Sequence, residues 1–206
     1  MDHNITLQDW CAESGLGLVK FDVDAEYAVL NQILEAVRKE GPGILIHSKP
    51  IRHEKSSPDI KLVDAAGHAL TAQTALRGRI SELENETVID NPADIHGFLS
   101  HFKRMKKSLT DAKWWIWWSP SDLVAQEVDD KEIVRCLRVI ARDFTDSPFL
   151  VLVAKDVHTK QGLATLEYVA ERTLEVERHQ NGKRVAYHWQ LLKHPSMSRE
   201  WIEIAP

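Results

Sequence analysis

The sequence predicts an α/β fold: a mostly parallel sheet flanked by helices, with an antiparallel hairpin at its C-terminal end. Three observations lead there. Strand-like and helix-like periodicities alternate from residue 17 to about residue 170. Two runs, Trp114–Trp118 and Phe149–Ala154, are continuously apolar, as strands buried on both faces are. Two β-rich runs then flank Asn181-Gly182, a strong two-residue turn signal.

The elements follow in order. Residues 1–15 read as a short lead-in helix or arm, and residues 16–206 as one domain. Gly17 to Val23 reads as a strand. Asp24 is placed to cap the next helix, with Glu26 in its first turn and Ala28, Val29, Ile33, Leu34 and Val37 at helical spacing. Gly41-Pro42-Gly43 stops that helix, and Gly43 to His47 is a short apolar strand. Residues 48–59 are polar, contain Pro50 and Pro58, and predict an exposed loop. Ile60 to Asp64 reads as a third strand, residues 67–86 as one irregular helix, and Thr87 to Asp90 as a short strand ended by Asn91-Pro92.

In the second half, Asp94 to Leu109 is an amphipathic helix with Ile95, Phe98, Leu99 and Phe102 on one stripe. Along Trp114–Trp118, period-two alternation sends Trp114, Ile116 and Trp118 to one face and Trp115 and Trp117 to the other. Asp129 and Asp130 open a helix carrying Ile133, Val134, Leu137, Ile140 and Ala141. A strand at 149–154 and a short helix at 162–169 come next. Strands at 173–177 and 185–192 form the hairpin, and residues 201–204 read as an edge strand.

Composition narrows the function classes. The 206 residues hold 26 Lys+Arg, 31 Asp+Glu and 10 His, for a formal charge of −5, with 43% apolar residues. That is enough apolar material for a full core. No run approaches the roughly 20 apolar residues that span a bilayer, and the acidic N-terminus has no leader-like apolar run. Only Cys11 and Cys136 occur, which excludes a disulfide framework and makes the cytoplasm the expected compartment. Mild acidity argues against a general nucleic-acid coat, though not against a local basic patch.

The element order and the segment FLVLVAKDVHTKQGLATLEYVAERTLEVERHQNGKRVAYHWQLLKHP resemble the RecA/KaiC-like branch of the P-loop ATPases. In that family a strand leads to a loop and short helix, then a V-A-D-x-x-L-x-L-x-R strand and a hairpin returning to a Lys. Here the strand reads Val169-Ala170-Glu171-Arg172-Thr173-Leu174-Glu175-Val176-Glu177-Arg178. The resemblance implies a RecA-like sheet and edge-to-edge assembly. It departs at the catalytic parts. A phosphate-binding loop needs glycines, a Lys and a hydroxyl between the first strand and helix. The junction here reads Phe21-Asp22-Val23-Asp24-Ala25-Glu26-Tyr27, with three carboxylates where phosphate needs positive potential. The family's metal-holding Asp at a strand end is replaced by Trp117-Trp118-Ser119, the nearest acid being Asp122. The chain therefore reads as a degenerate member without Walker A or Walker B motifs, and without nucleotide hydrolysis.

Other chemistry is weakly signalled. Neither H-E-x-x-H nor C-x-x-C occurs, and the pairs His47/His53, His96/His101 and His188/His194 lack paired metal spacing, so no metal and no cofactor is expected. Ser119 and Ser121 follow a central strand but sit in no G-x-S-x-G elbow. Cys136 falls on an apolar helical stripe. Cys11 is a candidate for exposure. Lys155 and His158 follow the 149–154 strand, either as solvated loop residues or as part of a partner-facing pocket. Trp115 and Trp117 are either core anchors or exposed partner contacts. Lys103, Lys106 and Lys107 share a helix face that either solubilises the chain or meets anions.

These readings lead to one expected function and two rivals. The expectation is a non-catalytic RecA-like regulatory or scaffolding protein that pairs with itself or with a RecA-like paralogue. The first rival is an accessory factor in DNA recombination or repair that contacts nucleic acid weakly through the basic helix. The second is an enzyme with an unrecognised site at the carboxyl edge of the sheet.

Overall fold

A computed structural model describes residues 5–49, 57–65, 87–88, 95–125, 127–181, 184–196 and 200–202. Nine described strands form one sheet, in the order β4-β3-β2-β5-β6-β1-β7-β8-β9. They are β1 (Gly15–Phe21), β2 (Gly43–His47), β3 (Ile60–Asp64), β4 (Thr87–Val88), β5 (Trp114–Trp118), β6 (Pro148–Ala154), β7 (Arg172–Asn181), β8 (Arg184–Lys193) and β9 (Glu200–Ile202). Pairing is parallel throughout β1–β7 and antiparallel for β7–β8 and β8–β9. The helices are α1 (Leu7–Ala12), α2 (Glu26–Val37), α3 (Ile95–Ser108), α4 (Ser121–Ala125), α5 (Asp130–Asp143) and α6 (Lys160–Val169). The predicted class is therefore observed. The expectations for residues 67–86, 89–94, 182 and 203–204 lie outside the described residues, as do residues 50–56 of the predicted loop.

The all-apolar strands sit where their composition requires. β5 and β6 are neighbours in mid-sheet, and every residue of both is buried. The tryptophan alternation holds. Trp114, Ile116 and Trp118 join α1 and α2 in one core layer, while Trp115 and Trp117 join α3, α4, α5 and α6 in the other. Trp117 stacks on Phe98 at 4.7 Å between ring centroids, and Trp115 meets Phe102 edge-on at 5.3 Å. Trp115 is 2% exposed and Trp117 0%, so neither is the surface anchor held open by the sequence. Each buries roughly 200 Å² of mostly apolar ring, which favours the core over any surface role by several kcal/mol.

The β1 strand starts and ends two residues earlier than the sequence implies, at Gly15–Phe21 rather than Gly17–Val23. Two glycines hid its start. Gly15 is at φ +87°, and a Cβ on Gly17 would fall 2.8 Å from Leu150. Val23 instead lies in a short 3-10 turn, Val23–Ala25, half exposed. Asp24 does not cap the helix, because the residue at the N-cap of α2 is Ala25.

Within the N-terminal segment, Leu7–Ala12 forms the short helix α1 and packs into the core. Thr6 and Asp9 form a capping box for α1, and Leu7, Trp10 and Cys11 are buried. Cys11 is therefore not exposed; burial pushes its thiol, and that of Cys136, far above the usual thiol range. The buried guanidinium of Arg172, at the start of β7, donates to the carbonyls of Trp10, Glu13, Ser14 and Gly15 and lies 5.1 Å from the Trp10 ring. At the far end of the hairpin, Lys193 donates to the carbonyls of Glu167, Tyr168 and Ala170, closing the C-terminus of α6. This is the lysine to which the hairpin returns.

Of the α3 lysines, Lys106 is committed within the fold. Lys106 donates to the Asp143 carbonyl at the end of α5, lies 4.2 Å from the Phe144 ring centroid, and pairs with Asp146 at 3.5 Å. Lys103 lies 3.6 Å from Asp143. Lys103 and Lys107 remain exposed, so the three do not form one free basic face.

Because Trp117 is fully buried against Phe98, Trp117→Ala is expected to lower stability by about 3–5 kcal/mol. Urea denaturation of the purified variant checks this; a loss under about 1 kcal/mol would contradict the packing described.

Candidate functional site

In open parallel sheets, ligands bind beyond the carboxyl ends of the strands, where neighbouring connections run in opposite directions. Here that corner lies at the end of β1, flanked by β6 and β7, and the β1–α2 junction fills it. Each carboxylate of the junction meets a cation from another element. Asp22 lies 3.2 Å from Lys155 after β6. Asp24 pairs with Arg178 on β7. Glu26, 4% exposed, lies 2.5 Å from Lys49 after β2, and Lys49 also lies 3.3 Å from Asp122 on α4.

A chain of charge continues inward. Lys155 is 2.7 Å from Glu175, Glu175 is 2.9 Å from Lys20, and Lys20 is 2.6 Å from Glu167. Burial opposes ionisation of Glu175, but hydrogen bonds from Lys155 and Lys20 outweigh it and hold the carboxyl below the usual carboxylate range. Burial likewise pulls against the charge on Lys155 and on Lys49, yet their carboxylate partners win and raise both ammonium groups above the usual lysine range. Every ionised group here is stabilised by another part of the same chain.

Beside this network lies a second polar constellation. Ser121 Oγ and His158 Nε2 are 2.9 Å apart, and His158 Nδ1 is 2.6 Å from Asp130 Oδ1. The other carboxylate oxygen, Asp130 Oδ2, accepts from the Thr159 hydroxyl at 2.8 Å and the Thr159 amide at 3.1 Å. The Ser121 hydroxyl also accepts from the Ala154 amide at 2.9 Å. Burial raises the Asp130 pKa, but the His158 and Thr159 hydrogen bonds prevail and lower it overall. Gly162 is required by this packing, since a Cβ there would fall 2.1 Å from Asp130 Oδ2.

Serine, histidine and aspartate in this order are the parts of a nucleophilic triad. Here Ser121 and His158 lie beneath the surface, His158 at 8% exposure. Ser121 is 2% exposed, and its hydroxyl oxygen accepts from the Ala154 amide while facing His158 Nε2. The relay ties the ends of β5 and β6 to the N-termini of α5 and α6.

Of the residues singled out by sequence, Lys155 and His158 do converge on the carboxyl edge. Both are held by intrachain partners. Trp115 and Trp117 lie in the core, and Lys103, Lys106 and Lys107 lie away on α3. His47 Nδ1 contacts the Lys49 carbonyl at 2.8 Å and His194 Nε2 contacts Glu13 at 2.8 Å, while His53 lies outside the described residues. Among the described residues, no group of three His, Cys, Asp or Glu is placed to hold a metal ion, and no described helix is long and apolar enough to cross a membrane. Sequence reasoning missed the Glu26–Lys49–Asp122 cluster and the Asp130 partner of His158. The one available hint was Asp129-Asp130 opening a helix while His158-Thr159 opens the next.

With this geometry in hand, comparison with solved structures is informative. The chain superposes on the flagellar accessory protein FlaH of Methanocaldococcus jannaschii with TM-score 0.53 and 12% identity, covering 87% of this chain and 78% of that one. A KaiC-like protein of Pyrococcus horikoshii gives 0.53 at 13% identity, covering 93% and 86%. An uncharacterised protein from the same archaeon, solved with an unknown peptide, gives 0.63 at 13% identity, covering 94% and 89%. The fold is thus RecA/KaiC-like. No protein-family model matches the chain, and no curated protein matches it in sequence.

Two outcomes follow from the site. Glu175 has a depressed folded pKa, so its contribution is present above the unfolded value of about 4.3 and is lost as pH falls through the lower folded value. Urea midpoints of wild type and Glu175→Gln should therefore differ at neutral pH and converge on acidification; a gap independent of pH would refute the assignment. A fluorophosphonate probe should leave Ser121 unlabelled, as mass spectrometry of the native chain would show. Stoichiometric labelling would restore the triad to an enzymatic role.

Proposed function

We propose that this chain is a non-catalytic RecA-like protein that acts through protein–protein contacts, as a regulatory or scaffolding partner of itself or of a RecA-like paralogue. The observation that carries this reading is the closed corner at the end of β1. Asp22, Asp24 and Glu26 are matched there by Lys155, Arg178 and Lys49. We read the junction as a degenerate phosphate-binding loop whose place has been taken by the chain's own ion pairs.

Energetics support the reading. A phosphate entering the corner would lie beside three carboxylates whose cations are already engaged. Two like charges 4 Å apart repel by roughly 4 kcal/mol at an effective dielectric constant near 20. Binding would require breaking the ion pairs as well, with no glycine-rich turn to offer backbone amides in return. The peptide held by one RecA-fold neighbour is a further motive for placing the activity in partner binding. The recombination and repair alternative is less favoured, since Lys106 is taken up by the end of α5.

Calorimetric titration with Mg-ATP tests the proposal. No saturable heat is expected. A dissociation constant below about 100 µM, equivalent to roughly 5.5 kcal/mol, would sink it.

A further inference from the structure

The outward face of the helical layer carries a feature that the closed corner does not use. β5, β6 and β7 all run parallel, so α5 and α6, which follow β5 and β6 and share one core layer, run side by side in the same direction. Between them lies a cleft of about 250 Å³, lined by Lys131, Val134, Arg135 and Arg138 of α5 and by Gln161 and Thr165 of α6. That volume is below the range of about 300–1,000 Å³ typical of small-molecule and cofactor pockets. It suits side chains of a longer ligand.

The two walls differ in chemistry. On α5, Lys131, Arg135, Arg138 and Arg142 recur at spacings of four, three and four, which aligns them on one stripe. On α6, Gln161, Thr165 and Tyr168 recur at spacings of four and three, and Tyr168 is 79% exposed. The acids nearby are tied down: Asp129 accepts from the Lys131 amide and caps α5, and Asp130 is held by His158 and Thr159. Glu132 pairs with Arg135, and Asp143 with Arg142. Lys131 lies 3.9 Å from Asp129, so Arg138, exposed and without an ion pair among the described residues, is the groove cation left to meet an anion, with Arg135 beside it in a surface pair.

We propose that the α5–α6 groove is the docking site for an acidic peptide segment of a partner protein. This deepens the protein-binding reading above and rests on it. Carboxylates of the segment would meet Arg135 and Arg138, and apolar or amide groups would lie along Val134, Gln161 and Tyr168. Lys131 to Arg138 spans about 10 Å of helix, the length of roughly three extended residues.

Fluorescence anisotropy on the full chain tests this with a fluorescein-labelled peptide carrying Glu at alternate positions. Saturable binding is expected that weakens with added salt. Arg135→Glu with Arg138→Glu should reduce it by about tenfold or more at an unchanged melting temperature. Tyr168→Ala should weaken it several-fold, and Lys103→Glu with Lys107→Glu should bind as wild type does. Absent binding, or equal binding by the Arg135→Glu/Arg138→Glu protein, overturns the groove assignment and leaves the Mg-ATP result to judge the function separately. A duplex DNA probe that binds more tightly and is lost in the same double variant would reassign the groove to nucleic acid and also overturn it. Nucleotide binding with an intact peptide response would sink the non-catalytic reading alone.

Discussion

An ammonium group in a central strand sets the terms for much of this structure. Lys20 lies in β1, flanked by β6 and β7, and is 6% exposed. Such a charge is tolerated only when matched, because desolvation costs several kcal/mol per ion. Glu167 on α6 and Glu175 on β7 supply the match. Glu175 is itself half enclosed and draws Lys155, which reaches Asp22. Positions on α6, β7, the β6 loop and the β1–α2 junction are thereby fixed relative to one another. Removing one member would leave the others over- or under-compensated, which is why the corner behaves as a unit.

The same dependence explains what could be read from the sequence. The order of strands and helices was legible because apolar spacing is local: Trp114–Trp118 announces a strand with two buried faces, and Asp129 announces the start of α5 through its own side chain. The start of β1 was not, since Gly15 and Gly17 carry no strand propensity: Gly15 sits at φ +87° against the Glu171 carboxylate, and Gly17 leaves room for Leu150 and the Trp10 ring. Asp24 looked like a helix cap because it precedes an amphipathic run. Arg178, far along the chain, claims it instead. The paired corner was illegible for the same reason. Lys20 and Glu175 are joined by folding, and no spacing rule connects residues so distant. His158 stood out in the sequence, yet beyond the helix start at Asp129-Asp130 nothing pointed to its partners.

Shape and chemistry part company here. At 12–13% identity the solved neighbours share the backbone plan. A plan of this kind hosts many activities, and what distinguishes one from another lies in the side chains at the strand ends. In this chain the charged side chains there pair with one another, while Glu26 Oε1, Trp118 Nε1 and Ser119 Oγ are buried without a hydrogen-bond partner among the described residues. The outer surface of α5 is built differently: its cations lie exposed, with Lys131, Arg135 and Arg142 beside acids of the same segment and Arg138 without an ion pair among the described residues.

The long C-terminal hairpin divides the sheet into two regimes of protection. β7 pairs with β1 only from Arg172 to Val176, and beyond that point Glu177 to Asn181 pair with β8 alone among the described strands. β9 in turn reaches only Trp189 to Leu191 of β8. A two-stranded ribbon has little independent stability. Its amides should open to solvent exchange at a fraction of the global free energy, while β5, β6 and β1 exchange only with complete unfolding. Arg178 sits in the weaker regime and holds Asp24, so each opening of the ribbon uncovers one carboxylate of the sealed corner and leaves the Lys20 chain closed beneath it.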